Sequence, residues 1–149
     1  MNYPRADLVK RFVAAFIDGL IGSVPGLVIP ILGWLVGAAY MLTRDALVFE
    51  LTKDAQWKNR SIGKKLMGLQ VVKLGGGDVD MTLSVKRNIT LAIGSIIAIV
   101  PVLGWVVGGV VGGVLALIEI LLVLADANGR RLGDKLADTQ VIVVEEPQP

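Results

Sequence analysis

Residues 88–118 read NITLAIGSIIAIVPVLGWVVGGVVGGVLALI and contain no charged side chain. Residues 19–43, GLIGSVPGLVIPILGWLVGAAYMLT, are uncharged in the same way. These runs of 31 and 25 residues each exceed the roughly 20 apolar residues that a helix needs to cross a bilayer. A soluble domain of 149 residues has no core large enough to bury both runs. The sequence therefore predicts an all-α membrane protein.

Proline and glycine interrupt each run once, at residues 25–30 in the first and at residues 101–104 in the second. We interpret each interruption as the tip of a helical hairpin, because both residue types disfavour the helix interior. Pro25 is an alternative position for the first tip. The resulting four transmembrane helices cover about residues 9–28, 31–50, 84–100 and 104–125. The third is short, and we expect Lys86 and Arg87 near its start to extend outward to the lipid headgroups.

The basic residues indicate the orientation of the chain. None of the 15 Lys and Arg side chains lies in a predicted tip; they lie before or at the start of the first helix, between residues 44 and 87, or after the fourth helix. Short loops that are rich in Lys and Arg stay in the cytoplasm. We therefore predict that the N-terminus, the central segment and the C-terminus are all cytoplasmic. Anionic lipid headgroups are the expected partners of these side chains.

The composition argues against several classes of function. The chain has no His and no Cys, so it lacks the commonest catalytic base and metal ligand and every Cys-based site. The glycines at 75–77 are not followed by the Lys and Ser or Thr that a phosphate-binding loop needs. No basic stripe alternates with aromatic residues as in nucleic-acid-binding proteins. We predict neither an enzyme nor a nucleic-acid-binding protein, and no cofactor or metal.

The sequence repeats itself in three places, in the same order. Residues 9–11, 30–37 and 60–72 resemble residues 85–87, 101–108 and 130–142. We infer a single domain, 1–149, built from two tandem hairpin repeats at about 8–76 and about 82–144. Each repeat would cross the membrane twice, so both enter it in the same direction. A pseudo-two-fold axis along the membrane normal should then relate them.

Each predicted repeat ends in a short amphipathic segment followed by a run rich in β-branched residues. These runs are residues 69–74 and 139–144. Their composition predicts that they can pair as a small cytoplasmic β ribbon.

Glycines recur at four-residue spacing in the second and fourth predicted helices. They are Gly33 and Gly37, and Gly104, Gly108 and Gly112. Small residues on one helix face allow backbones to approach closely, which predicts that these faces join the two halves. The alternative is that membrane helices are simply rich in glycine.

Three ionisable residues, Asp18, Glu119 and Arg44, are predicted to lie at membrane depth, where such residues are functional candidates by default. Asp18 is seven residues from Arg11, and Glu119 is seven residues from Asp126. At 1.5 Å per residue, both carboxylates lie about 10 Å inside the cytoplasmic boundary. If they face each other, repulsion and desolvation would hold one proton between them or attract a cation. Alternatively, a neighbour such as Arg44 neutralises a carboxylate and ties the helices together.

With these residues the chain resembles the RDD family of membrane proteins, named for one arginine and two aspartates. Residues 11–18, RFVAAFID, are similar to its first motif through Arg11 and Asp18. Residues 61–72 and 131–139 resemble its central and C-terminal signatures, and Asp134 corresponds to the second aspartate. Many relatives have His before that aspartate, where this chain has Gly133; this difference bears on any mechanism that uses the imidazole.

The resemblance implies one of two roles. Sodium–proton antiport has been proposed for some members, and others carry the domain as an accessory to larger membrane assemblies. As a transporter, the chain would couple a proton or monovalent cation at Asp18 and Glu119, with Arg11 and Asp134 as a cytoplasmic latch, a charge pair at the membrane surface that opens and closes with protonation. As a scaffold, the same residues would fix helix ends. The resemblance also implies a prokaryotic inner membrane.

Four helices are few to enclose a pathway, so we expect a homo-oligomer. The candidate site residues predicted from the sequence are Asp18, Glu119, Arg11, Arg44, Asp126 and Asp134.

Overall fold

A computed structural model describes residues 3–29, 31–100 and 102–144. Four long helices dominate this part of the chain, and two short helices and two short strands accompany them. In chain order the elements are α1 (Leu8–Val28), α2 (Leu32–Thr52), a single 3-10 turn (Ala55–Trp57), α3 (Ile62–Leu66), β1 (Leu69–Lys73), α4 (Met81–Ile97), α5 (Leu103–Ala125), α6 (Leu132–Leu136) and β2 (Thr139–Val143).

The long helices begin and end close to the predicted positions. Pro25 lies inside α1, so the alternative position of the first tip is wrong; Pro30 and Pro101 lie outside the described residues. The largest difference is in α4, which begins at Met81 rather than near residue 84. The carboxylate of Asp80 accepts a hydrogen bond from the backbone N–H of Leu83 and thereby caps this helix.

Three helices of the described part, α1, α2 and α5, are long and apolar enough to cross a bilayer. Many of their large apolar side chains point outward, for example Phe16 on α1 and Leu117 on α5, as lipid contact requires. Helix α4 has 17 residues and carries Lys86 and Arg87 in its first half, so it is not among the helices that are long and apolar enough. A fourth crossing therefore stays a prediction.

The helices pack in the order α1, α2, α4, α5. Glycines bring helices together within each hairpin: a Cβ atom at Gly37 would collide with the carbonyl of Gly22, and one at Gly108 with the carbonyl of Gly94. The prediction that the glycine faces join the two halves is wrong, because these faces pack against the other helix of their own hairpin. The halves meet instead at α2 and α4, where Ser84 donates to the carbonyl oxygen of Leu42 at 3.0 Å.

Strands β1 and β2 form the predicted ribbon, antiparallel, with Leu69 opposite Val143 and Lys73 opposite Thr139. The inner side of the ribbon, with Leu69 and Val141, packs against Ala14 of α1 in a small apolar core. Short helix α3 packs on α1, and α6 packs on α4. We call this end of the molecule the ribbon end. The order helix, helix, short helix, strand occurs twice along the described chain, and the repeat architecture and its symmetry stay predictions.

Candidate functional site

Charged side chains are buried where the long helices meet the ribbon end. We call nine of them the charge cluster: Arg11, Asp18, Arg44, Asp45, Lys64, Arg87, Glu119, Arg131 and Asp134. Eight of these nine side chains are no more than 7% exposed, and the ninth, that of Arg11, is 10% exposed. A buried charge is costly unless it is paired, so the partners of these groups matter.

Asp18 on α1 accepts three hydrogen bonds, one from α2 and two from the start of α3. Tyr40 donates to Oδ1 at 3.0 Å, the backbone N–H of Gly63 to Oδ1 at 2.8 Å, and Ser61 to Oδ2 at 2.5 Å. The Nη1 atom of Arg44 lies 3.5 Å from Oδ2. This carboxylate therefore binds the first turn of α3. Its contact with Arg44 corresponds to the alternative in which that arginine neutralises a carboxylate.

Glu119 on α5 has the same relation to the other short helix. Its Oε2 accepts from the backbone N–H of Leu132 at 2.6 Å, and its Oε1 from the N–H of Gly133 at 3.3 Å and from the hydroxyl of Thr90. Asp18 and Glu119 thus bind the first turns of different short helices, although both line one cavity. A proton shared between them stays a prediction.

Asp134 on α6 is the carboxylate with the most cationic partners. The Nη2 atom of Arg11 lies 3.2 Å from its Oδ2, Nη2 of Arg87 donates to its Oδ1, and Nε of Arg131 lies 3.5 Å from Oδ1. Burial alone would raise the pKa of Asp134, but the three guanidinium groups hold it well below its ordinary range. The predicted pair of Arg11 and Asp134 is therefore formed, but it is buried and not at the surface, because Asp134 is 0% exposed.

Asp45, a residue that the sequence analysis missed, connects the middle of the cluster. Its carboxylate receives Nζ of Lys64 at 2.5 Å, Nη1 of Arg87 at 3.0 Å and the side-chain amide of Asn88 at 3.0 Å. Arg87 therefore bridges Asp45 and Asp134 and does not extend to the headgroups as predicted. The internal repeat could have identified Arg87 as a site residue, because it aligns Arg87 with the predicted site residue Arg11.

Two cations of the short segments carry perturbed pKa values. Burial lowers the pKa of Lys64 to about 8, against the opposing effect of Asp45. Burial likewise lowers the pKa of Arg131 to about 10, against the opposing effect of Asp134. Desolvation disfavours the charged form of any cation. Of the two side chains, Lys64 has the lower pKa and therefore loses its proton closer to neutral pH.

Asp126 does not belong to the cluster. It follows the last residue of α5 and accepts hydrogen bonds from the backbone N–H groups of Arg130 at 2.8 Å and Asn128 at 3.1 Å. Nζ of Lys135 lies 2.9 Å from its Oδ1. The bond from Arg130, followed by the contact with Lys135, lowers the pKa of Asp126. The position of this carboxylate indicates that it shapes the loop after α5.

A cavity of about 240 Å³ lies beside the charge cluster. Its ionisable lining consists of five cations and two carboxylates: Arg11, Arg44, Lys64, Arg87 and Arg131, with Asp18 and Glu119. Apolar residues of α1 and α5, such as Phe12 and Ile120, form most of the remaining wall. Phe12 and Ile120 are 45% and 37% exposed, so the cavity opens to the outer surface between these two helices.

Comparison with known proteins identifies one family. The family model described as RDD family matches residues 5–138, a range that contains the whole charge cluster. No curated protein and no solved structure matches the chain. The family match and the three long apolar helices together indicate a multi-pass membrane protein.

Proposed function

We propose that this chain, which belongs to the RDD family, transports a small ion or solute through the cavity lined by Asp18 and Glu119. One observation carries the proposal: seven ionisable side chains line a single cavity between helices whose outer faces are apolar. Ionisable residues within membrane helices are costly and mark ion or solute pathways by default. Asp18 on α1 and Glu119 on α5 place two such residues on the wall of this cavity, which supports a pathway there.

Proton coupling would operate through the two carboxylates on the cavity wall. Protonation of Glu119 would weaken the hydrogen bonds that it accepts from Leu132 and Gly133, because a neutral carboxyl is a poorer acceptor than a carboxylate. Helix α6 would loosen, and this helix carries Asp134, the partner of Arg11. Proton uptake at one carboxylate would in this way open the buried latch. Proton-coupled cation exchange such as Na⁺/H⁺ is the specific form that the sequence predicts.

The proposal includes an arrangement in the membrane. Helices α1, α2, α4 and α5 would each cross once, as two parallel hairpin repeats, with both termini and the ribbon end in the cytoplasm of a prokaryotic cell. The apolar outer faces of α1 and α5 support membrane insertion, and the Lys and Arg distribution supports the orientation. A homo-oligomer is the expected functional form.

A scaffold is the second candidate, and a specific observation favours it. Asp18, Asp45, Glu119 and Asp134 each have at least two partners among the described residues. Such a network can simply fix the ribbon end onto the long helices. In that case the protein would bind lipid or a partner chain and move nothing.

Proteoliposomes that contain the full chain separate the two candidates. The measurement is the change of internal pH after an imposed Na⁺ gradient, for the natural chain, Asp18→Asn, Glu119→Gln and Asp126→Asn. Transport predicts a clear signal in the natural chain and the Asp126→Asn control, with loss in the other two variants. No signal in any of the four proteins would support the scaffold, whereas equal signals in all four would remove Asp18 and Glu119 from the proposed pathway.

A further inference from the structure

We propose that the cavity binds the phosphate headgroup of an anionic phospholipid, whose acyl chains lie against the outer surfaces of α1 and α5. The inference rests on the proposed function in one respect, namely that the ligand site is the same cavity. Binding can be measured without any transport, so the two proposals can fail separately.

The charge of the lining favours an anion over a bare cation. Five cationic side chains and two carboxylates face the cavity. Two further carboxylates, Asp45 and Asp134, pair with some of these cations but are not part of the lining. Cations therefore remain in excess even in the cluster as a whole, by five to four. An anionic group would meet net attraction on entering.

Two buried guanidinium groups also have an N–H donor that lacks an acceptor. Arg44 and Arg87 are 3% and 0% exposed, both line the cavity, and in each the Nε atom has no hydrogen-bond partner among the described residues. A buried N–H group without an acceptor is destabilising. Phosphate oxygens are strong acceptors for guanidinium N–H groups, so a phosphate group provides the missing partner.

The apolar part of the cavity identifies the phosphate as part of an amphiphile. The lining cations are at most 10% exposed and so lie on the buried side of the cavity, whereas the more exposed Phe12 of α1 and Ile120 of α5 form its mouth on the outer surface. A volume of about 240 Å³ has room for a headgroup but not for two acyl chains. Beyond the mouth, exposed apolar side chains such as Phe16 and Leu117 continue along the same helices. An acyl chain can pack along this surface, whereas free phosphate has no apolar part that could contact it.

Lipid binding to the full chain in an uncharged detergent tests the inference. The dissociation constant is measured for phosphatidylglycerol and for phosphatidylcholine with the same acyl chains, and inorganic phosphate is a third probe. The variants are Arg44→Gln in the cavity and Ile120→Trp at its mouth. Lys86→Gln is the matched control, because it removes one positive charge from an exposed position of α4.

We expect phosphatidylglycerol to bind at least about tenfold more tightly than phosphatidylcholine, and Arg44→Gln to lose about that factor. Lys86→Gln should bind as the natural chain does. Ile120→Trp narrows the mouth without changing the charge and should also weaken lipid binding; it keeps the inference testable if Arg44→Gln fails to fold. Inorganic phosphate should bind more weakly than the lipid.

Three results would overturn the inference: equal affinity for the two lipids, equal losses in Arg44→Gln and Lys86→Gln, or inorganic phosphate binding as tightly as phosphatidylglycerol. The last result would indicate a site for a free anion. Specific lipid binding without transport would leave the inference intact and remove only the proposed transport. Transport without lipid preference would leave the proposed transport intact and remove only this inference.

Discussion

Arg87 of α4 and Asp134 of α6 form an ion pair in which neither side chain is exposed. Asp134 also forms an ion pair with Arg11 of α1 at 3.2 Å, and Arg87 also forms one with Asp45 of α2 at 3.0 Å. A helix of five residues is in this way connected to three of the long helices. The buried aspartate of the C-terminal motif is thus the point at which the two hairpins are joined to the ribbon end.

Removal of Arg87 should destabilise the fold strongly. Arg87→Met leaves both Asp45 and Asp134 short of a cation, and breaking a buried pair by removing one partner costs roughly 3–5 kcal/mol. Lys86→Met, at the exposed neighbouring position, should change the free energy of unfolding by no more than about 0.5 kcal/mol. Denaturant titration of the purified chain in detergent measures both values. Similar losses in the two variants would contradict the assigned role of Arg87.

Two adjacent glycines of α5 should respond in opposite ways to alanine. A Cβ atom at Gly108 would meet the backbone of Gly94 and Ala98, whereas one at Gly109 meets nothing within 4 Å. Overpacking should cost Gly108→Ala roughly 1–3 kcal/mol. Gly109→Ala should be neutral or stabilising by up to about 1 kcal/mol, because alanine favours the helix. Thermal unfolding of both variants checks this, and a destabilised Gly109→Ala with an unaffected Gly108→Ala would argue against the packing of α4 and α5.

The stability of the chain should rise between pH 8 and pH 10 because of Lys64. Its pKa is lowered from 10.5 to about 8, so in this window the unfolded chain binds a proton that the folded chain has lost. Stability increases with pH wherever the unfolded state binds more protons. The groups that face Lys64 are Asp45, which opposes the shift, Arg44 and Arg87, which add to it, and Asp18, which opposes it.

The free energy of unfolding measured across this window checks the role of Lys64. Lys64→Met should remove the rise, and Lys86→Met should keep it. A rise of equal size in Lys64→Met would assign the titration to another group.

The number of crossings can be tested with introduced cysteines, because the chain has none of its own. Ile29→Cys lies at the first tip, Leu103→Cys at the second, and Gly75→Cys in the segment between the hairpins, all at exposed positions. If α4 crosses the membrane, an impermeant maleimide added to intact cells should label the first two variants. The third should react only after the cells are opened. Labelling of Gly75→Cys in intact cells, or protection of Leu103→Cys alone, would remove the four-helix arrangement.

The long helices and the ribbon could be predicted from local sequence patterns. The uncharged runs and their proline-glycine interruptions fix where α1, α2 and α5 lie, because lipid demands a continuous apolar stretch and hydropathy is a local property. The β-branched runs likewise identified β1 and β2. The position of Asp18 and Glu119 along their helices also followed from simple counting of residues.

The pairing of the buried charges could not be predicted in this way, because it depends on the folded arrangement of the helices. Asp45 contacts Arg87 from 42 residues away and Arg87 contacts Asp134 from 47 residues away, and no local pattern specifies such contacts. The interface of α2 and α4 turned Arg87 inward, and the glycines served packing inside each hairpin. The physical reason is that burial and pairing depend on which helix faces meet, whereas the sequence states only which faces exist.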